Sequence, residues 1–224
     1  HKWLYLMLIP GVLYMLIFNY LPMGGLVMAF QEFSPYNGDS MIGAFLQSPF
    51  VGLSVFKKFF TGPDFLQLLK NTLSISITSL IFYFPAPIIL ALLLNEIKNA
   101  AFKRVTQTMV YIPHFISMVI VAALTAQLFS TTDGLVYHWL VEIFGRNNAP
   151  DVMSNPRLFV PMIVGQNMWK ETGYGTIIFL AALSGVDVQL YEAAEVDGAN
   201  RWQKMWHITL PAIKSTIVIM LILK

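Results

Sequence analysis

Cysteine is absent from this sequence, which removes disulfides, thiolate metal sites and thiol nucleophiles from consideration. Charge is scarce as well. Only 12% of the 224 residues are Asp, Glu, Lys or Arg, about half the share a soluble domain carries. The net charge of +2 is too small to draw the chain to nucleic acid. No glycine-rich phosphate loop ending in Lys-Ser or Lys-Thr occurs, so the chain offers no ATP cradle of that kind. In place of these features it has long apolar runs, and 56% of its residues are hydrophobic. Sparse charge combined with such runs describes a polytopic membrane protein.

The first run, WLYLMLIPGVLYMLIFNYLP (3–22), is long enough at about 1.5 Å per residue for a hydrocarbon core of about 30 Å. It is too long for the apolar core of a secretory signal. Residues 31–66 turn polar, with FSPYNGDS, QSPF and TGPD as loop signals and VFKKFF as a short interfacial helix. The second run spans 71–97. Its Pro85 and Pro87 remove backbone donors, and a kink or break is expected there. A basic loop follows, then a third run over about 106–129 holding Pro113 and His114. Next come an amphipathic helix in GLVYHWLVEIFG, a fourth run over 158–184, and a fifth beginning at Pro211. The chain opens on His1 and stops at Lys224 inside an apolar run, and a further crossing beyond it is expected.

Loop cations orient these spans. With the N-terminus inside, the inner loops hold Lys2, Lys98, Lys103, Arg104, Arg201, Lys204 and Lys214, against Lys57, Lys58, Lys70, Arg146 and Arg157 outside. That places the most polar segment, YEAAEVDGANRWQKMWHITLP (191–211), in the cytoplasm. Gln189 to Ala194 favour helix, with Glu192 near the positive end of its dipole. Asp197-Gly198 is a turn signal, and Gly198 suits a positive φ. Residues 202, 205, 206 and 210 form an apolar stripe, and Pro211 fits the first turn of the next span. On these grounds alone the segment is either a handle for a cytoplasmic protein or an amphipathic loop resting on headgroups.

The segment resembles the EAA loop of binding-protein-dependent ABC importer permeases. Glu192-Ala193-Ala194, then Gly198, then Ile208, Leu210 and Pro211 stand at that family's spacing. YEAAEVDGA, the upstream FVGLSVFKKFF and FLQLLKNTL, and WKETGYGTIIFLAALSGV (169–186) are similar to the carbohydrate-uptake branch, nearest its oligosaccharide and uronate members. Sugar permeases often read Ile-Pro just before the Glu-Ala-Ala helix, where Val188-Gln189 stands here. The resemblance implies an all-α integral membrane protein of the bacterial cytoplasmic membrane. It would have about six spans in the full subunit, five of them seen or begun here. Residues 1–66 would form the first span and a periplasmic segment, and 67–224 the core permease domain with its coupling loop at 189–211. The chain itself would be non-catalytic. Glu192, Ala193, Ala194, Asp197, Gly198, Ile208, Leu210 and Pro211 would couple it to a dimer of separate ATPase subunits, which hold the ATP and Mg²⁺. The other implied partners are a second related permease subunit, making a heterodimer, and an extracytoplasmic solute-binding protein that delivers the sugar.

Lys170 and Glu171 stand near the middle of the fourth run, where an intramembrane charge costs at least about 2.5 kcal/mol and normally faces protein or water. Lys170 with Asn167, Trp169 and Tyr174 suits a polar path for sugar, the aromatics stacking on sugar faces and the lysine meeting an acidic group. Glu171 belongs to the same group. The alternative is that Lys170 or Glu171 meets a charge on a partner subunit. Residues adjacent in a helix point about 100° apart, so the two are not expected to share one partner. His114 suits either the path or a histidine satisfied by a kinked backbone. Two other classes stay admissible: a secondary transporter, although no inverted repeats are visible, and a membrane transferase holding Mg²⁺ on Asp187, Glu192, Glu195 and Asp197.

Overall fold

The computed structural model describes residues 2–224 and is all-α, with a single isolated bridge between Gln31 and Phe50 among the described residues. The chain divides into two compact units, residues 1–71 and 72–224.

In the first unit α1, Lys2–Phe30, is long and apolar enough to cross a membrane. Its large apolar side chains are exposed along nearly its whole length, as lipid-facing residues must be. The short helix α2, Met41–Gln47, starts at Ser40, whose hydroxyl accepts from the Gly43 N–H. Phe30 packs its ring between Phe50 and Phe56. The VFKKFF stretch lies in α3, Ser54–Phe60, where Phe59, Phe60 and Phe65 meet edge to face.

The second crossing is α4, Phe65–Asn95. Of the kink or break expected at Pro85 and Pro87, the break does not occur: the helix runs through with a local distortion. A π-helical turn over Ser79–Tyr83 precedes the prolines, with the Phe84 N–H donating to the Ser79 carbonyl at 3.0 Å. The same device stands before Pro22, at Leu16–Tyr20, and before Pro211, at Met205–Thr209. A proline ring collides with the carbonyl four residues back and leaves it without a donor. Widening the preceding turn by one residue accommodates this without breaking the helix.

In the second unit the third apolar run is not one rod. α5, Ala100–Phe115, and α6, Met118–Leu128, meet at 95°. Pro113 sits in a closing 3-10 turn, and Ser117 caps α6 by accepting from the Val119 N–H. α7, Leu135–Phe144, occupies the predicted amphipathic stretch. α8, Pro156–Ser184, is capped by Asn155 and bends by 70° into α9, Val188–Val196. α10, Arg201–Ala212, bends by 55° into α11, Lys214–Ile222. Pro211 therefore lies near the end of a helix rather than at the start of a span, and the bend falls at Ile213. Among the described residues two helices are long and apolar enough to cross a membrane outright, and each bent pair supplies one further apolar path, giving up to five.

α8 is the axis of this unit. Ala91, Phe179, Leu183 and Ile213 form its buried core, joining α4, α8 and the α10–α11 bend. Close approach depends on glycine. A Cβ on Gly173 would overlap the Val110 carbonyl of α5, and one on Gly175 would stand 3.1 Å from the Pro87 ring of α4.

Candidate coupling loop and mid-membrane cluster

Asp187, not Glu192, tends the positive end of α9: its carboxylate accepts from the Gln189 N–H at 2.9 Å. Glu192 sits mid-helix instead, because α9 starts at Val188. Gly198 adopts φ 75° and ends the helix with open space where a side chain would be. Asn200 and Gln203 then close a reciprocal capping box that starts α10.

The two helices enclose a notch of about 350 Å³, lined by Ala194, Asp197, Gly198, Ala199, Gln203 and Ile208 among others. Tyr191 and Glu195, one turn apart on α9, both face α10. Tyr191 Oη lies 2.9 Å from Thr209 Oγ1, and Lys204 Nζ donates to Glu195 at 3.3 Å. Glu192 and Ala193 are exposed on other faces of α9. Leu210 is half-buried and Pro211 exposed.

The acids offered above for a metal do not assemble. Among the described residues no three His, Asp or Glu side chains converge to hold an ion, and Glu195 is engaged by Lys204.

Lys170 is the central residue of the 29-residue α8, and the expectation that it and Glu171 cannot share a partner is overturned. Lys170 Nζ donates to Glu171 and, at 3.1 Å, to the carbonyl of His114. The other Glu171 oxygen lies 2.7 Å from His114 Nδ1. The His114 ring stacks on Tyr174, centroids 3.9 Å apart and planes within 5°. Long side chains swing through the 100° that separates their Cα positions, and the α5–α6 break brings His114 to meet both. Neither reading of His114 included this: it is the link between the broken span and α8. A partner-subunit charge is not needed for Lys170 or Glu171, since each is satisfied within this chain.

Asn167 is half-buried one turn away, while Trp169 and Tyr174 are exposed. Beside them an apolar groove of about 430 Å³ runs between α4, α5 and α8, lined by Trp169, Thr172, Gly173 and Pro113.

An all-α membrane protein with bent spans, a two-helix polar loop and an ion cluster at mid-span has the architecture of a membrane transport component. Residues 83–224 match the family model described as "Binding-protein-dependent transport system inner membrane component", and the chain belongs to that family. It is 52% identical over 223 residues to Protein LplB of Bacillus subtilis (strain 168), covering 100% of this chain and 68% of that protein. It is 50% identical, again over 223 residues, to the polygalacturonan/rhamnogalacturonan transport system permease protein YteP of the same organism, covering 100% of this chain and 67% of that one. Among solved structures it is similar to a bacterial ABC transporter involved in the import of the acidic polysaccharide alginate. The TM-score is 0.87 at 40% identity, over 99% of this chain and 71% of that chain. The chain thus spans about two thirds of these relatives, on the carbohydrate-uptake branch of its family.

Proposed function

We propose that the chain forms one half of the translocation path of an ATP-driven importer in the bacterial cytoplasmic membrane, and that its cargo is an acidic oligosaccharide. A solute-binding protein delivers the sugar from outside, and a second, related permease supplies the other half of the path. A dimer of ATPase subunits holding ATP and Mg²⁺ grips the 189–211 loop through Glu192, Ala193, Ala194, Asp197 and Gly198. Ile208, Leu210 and Pro211 tie that loop to the span. Residues 67–224 are the core that moves.

The observation that carries the reading is the arrangement at the centre of α8. Exposed Trp169 and Tyr174, the latter with one face on His114, stand beside a charge cluster that an isolated lipid-facing helix would not tolerate. Aromatic faces stack on sugar rings, and Asn167 offers an amide to hydroxyls. Similarity along the whole chain to permeases of polygalacturonan and alginate systems supports an acidic cargo. Lys170 is engaged by Glu171 and His114, so it sets the polarity of the path through the cluster rather than as a free cation.

The test is uptake by the assembled transporter, in vesicles, of matched neutral and uronate-containing oligosaccharides. Uronate oligomers should be taken up and neutral ones of equal length excluded. Equal uptake of both would remove the acidic assignment, and failure of Trp169→Ala to reduce uptake would remove this residue from the path.

A further inference from the structure

We propose that Tyr191 and Thr209 form the strut that transmits force from the coupling helix to the membrane core. The proposal rests on the reading of 189–211 as the ATPase handle. Along the chain α9 is held only at its two ends, by the Gly185–Asp187 bend after α8 and the Gly198 turn before α10. A rod held only at two hinges swivels when pushed. The Tyr191 Oη to Thr209 Oγ1 contact of 2.9 Å supplies the third point that makes the loop rigid.

Its placement within α10 is what makes it a transmitter. Thr209 closes the π turn Met205–Thr209 that Pro211 imposes. Its hydroxyl lies 3.3 Å from the Lys204 carbonyl, five residues back. The widened turn is thereby pinned from within, and the same oxygen meets Tyr191. Thr209 is 6% exposed, so the contact is shielded from competing water. Four residues on, Ile213 is buried against Ala91, Phe179 and Leu183. Displacement of α9 therefore passes through one hydroxyl pair into α10 and from there into the α4–α8 core. The Lys204–Glu195 contact is largely solvent-exposed on the glutamate side and contributes little by comparison.

The complete transporter, with its ATPase, partner permease and binding protein, tests this in vesicles with Tyr191→Phe, Thr209→Val, the double variant and Thr209→Ser. ATPase co-purification and hydrolysis should stay near wild type. Sugar transported per ATP should fall about two- to tenfold, the shift that an ordinary hydrogen bond supports. Thr209→Ser should restore the ratio, and the double variant should be no worse than the worse single one. A second measurement does not depend on transport: spin labels at Val196→Cys and Lys214→Cys, both exposed, should show a broadened distance distribution in Tyr191→Phe. An unchanged ratio with an unchanged distribution, or additive losses in the double variant, would overturn the strut. Absence of any ATPase from the wild-type preparation would instead remove the handle on which the strut depends.

Discussion

Lys170 donates in two directions, to Glu171 and to the His114 carbonyl, and its side chain is 14% exposed. Removing one member of such a group strands the others. Lys170→Met leaves the carbonyl of His114 without this donor, inside a turn that already lacks regular helical bonds. A loss of about 1–3 kcal/mol is expected, read as a lowered thermal midpoint in detergent. Lys170→Met combined with Glu171→Met removes both charges and should be less destabilised than the sum of the single variants. Strict additivity would show that the two do not act as a unit. The charges themselves were visible in the sequence as residues too costly to face lipid. Their partner was not, because His114 lies 56 residues before Lys170 and only the α5–α6 break carries it there. The signal that marks the break is Ser117 before an apolar run, a helix-start residue to which hydropathy is blind.

At the scale of elements, the apolar runs located the long helices but not their ends: 3–22 stands against Lys2–Phe30, and 71–97 against Phe65–Asn95, since hydropathy registers length in lipid and little else. Bends were harder. A kink or break was expected at Pro85 and Pro87, and α4 stays one helix there with only a π turn, whereas the 95° turn between α5 and α6 falls three residues after Pro113. The difference lies in what surrounds each proline: a π turn fits inside continuous helix at Ser79–Tyr83, while Ser117 offers the chain a fresh start. Glycine positions on α8 follow a similar logic. Gly173→Ala drives a methyl into the Val110 backbone, which cannot rotate aside, and the α5–α8 crossing must widen. We expect a cost of at least about 1–3 kcal/mol. Gly175→Ala meets only the edge of the Pro87 ring, at 3.1 Å, and should cost less. Thermal unfolding of the two variants in one detergent gives the order directly, and the reverse order would contradict this packing.

For the molecule as a whole, the question is whether one polar hinge governs the work of every span. The spacing of Glu192, Ala193, Ala194, Gly198, Ile208 and Pro211 marked the segment from sequence, because a motif is local. The contact that stiffens it, Tyr191 on Thr209, crosses between two helices and left no trace in the pattern. Gly198 separates folding from coupling cleanly. Its φ of 75° is one that aspartate adopts more readily than most residues, and nothing lies within 4 Å of where a Cβ would stand. Gly198→Asp should therefore fold and reach the membrane with binding-protein docking intact. It would also place a new carboxylate in the notch beside Asp197, on the surface proposed to meet the ATPase. We expect ATPase association to weaken by about tenfold or more, the equivalent of about 1.4 kcal/mol, and sugar uptake to fall with it. Quantifying ATPase retained on the tagged permease, alongside uptake in the same vesicles, checks both. Wild-type uptake with full ATPase retention would mean that the carboxylate meets no partner there, and the site of coupling would have to be sought elsewhere on the inner face.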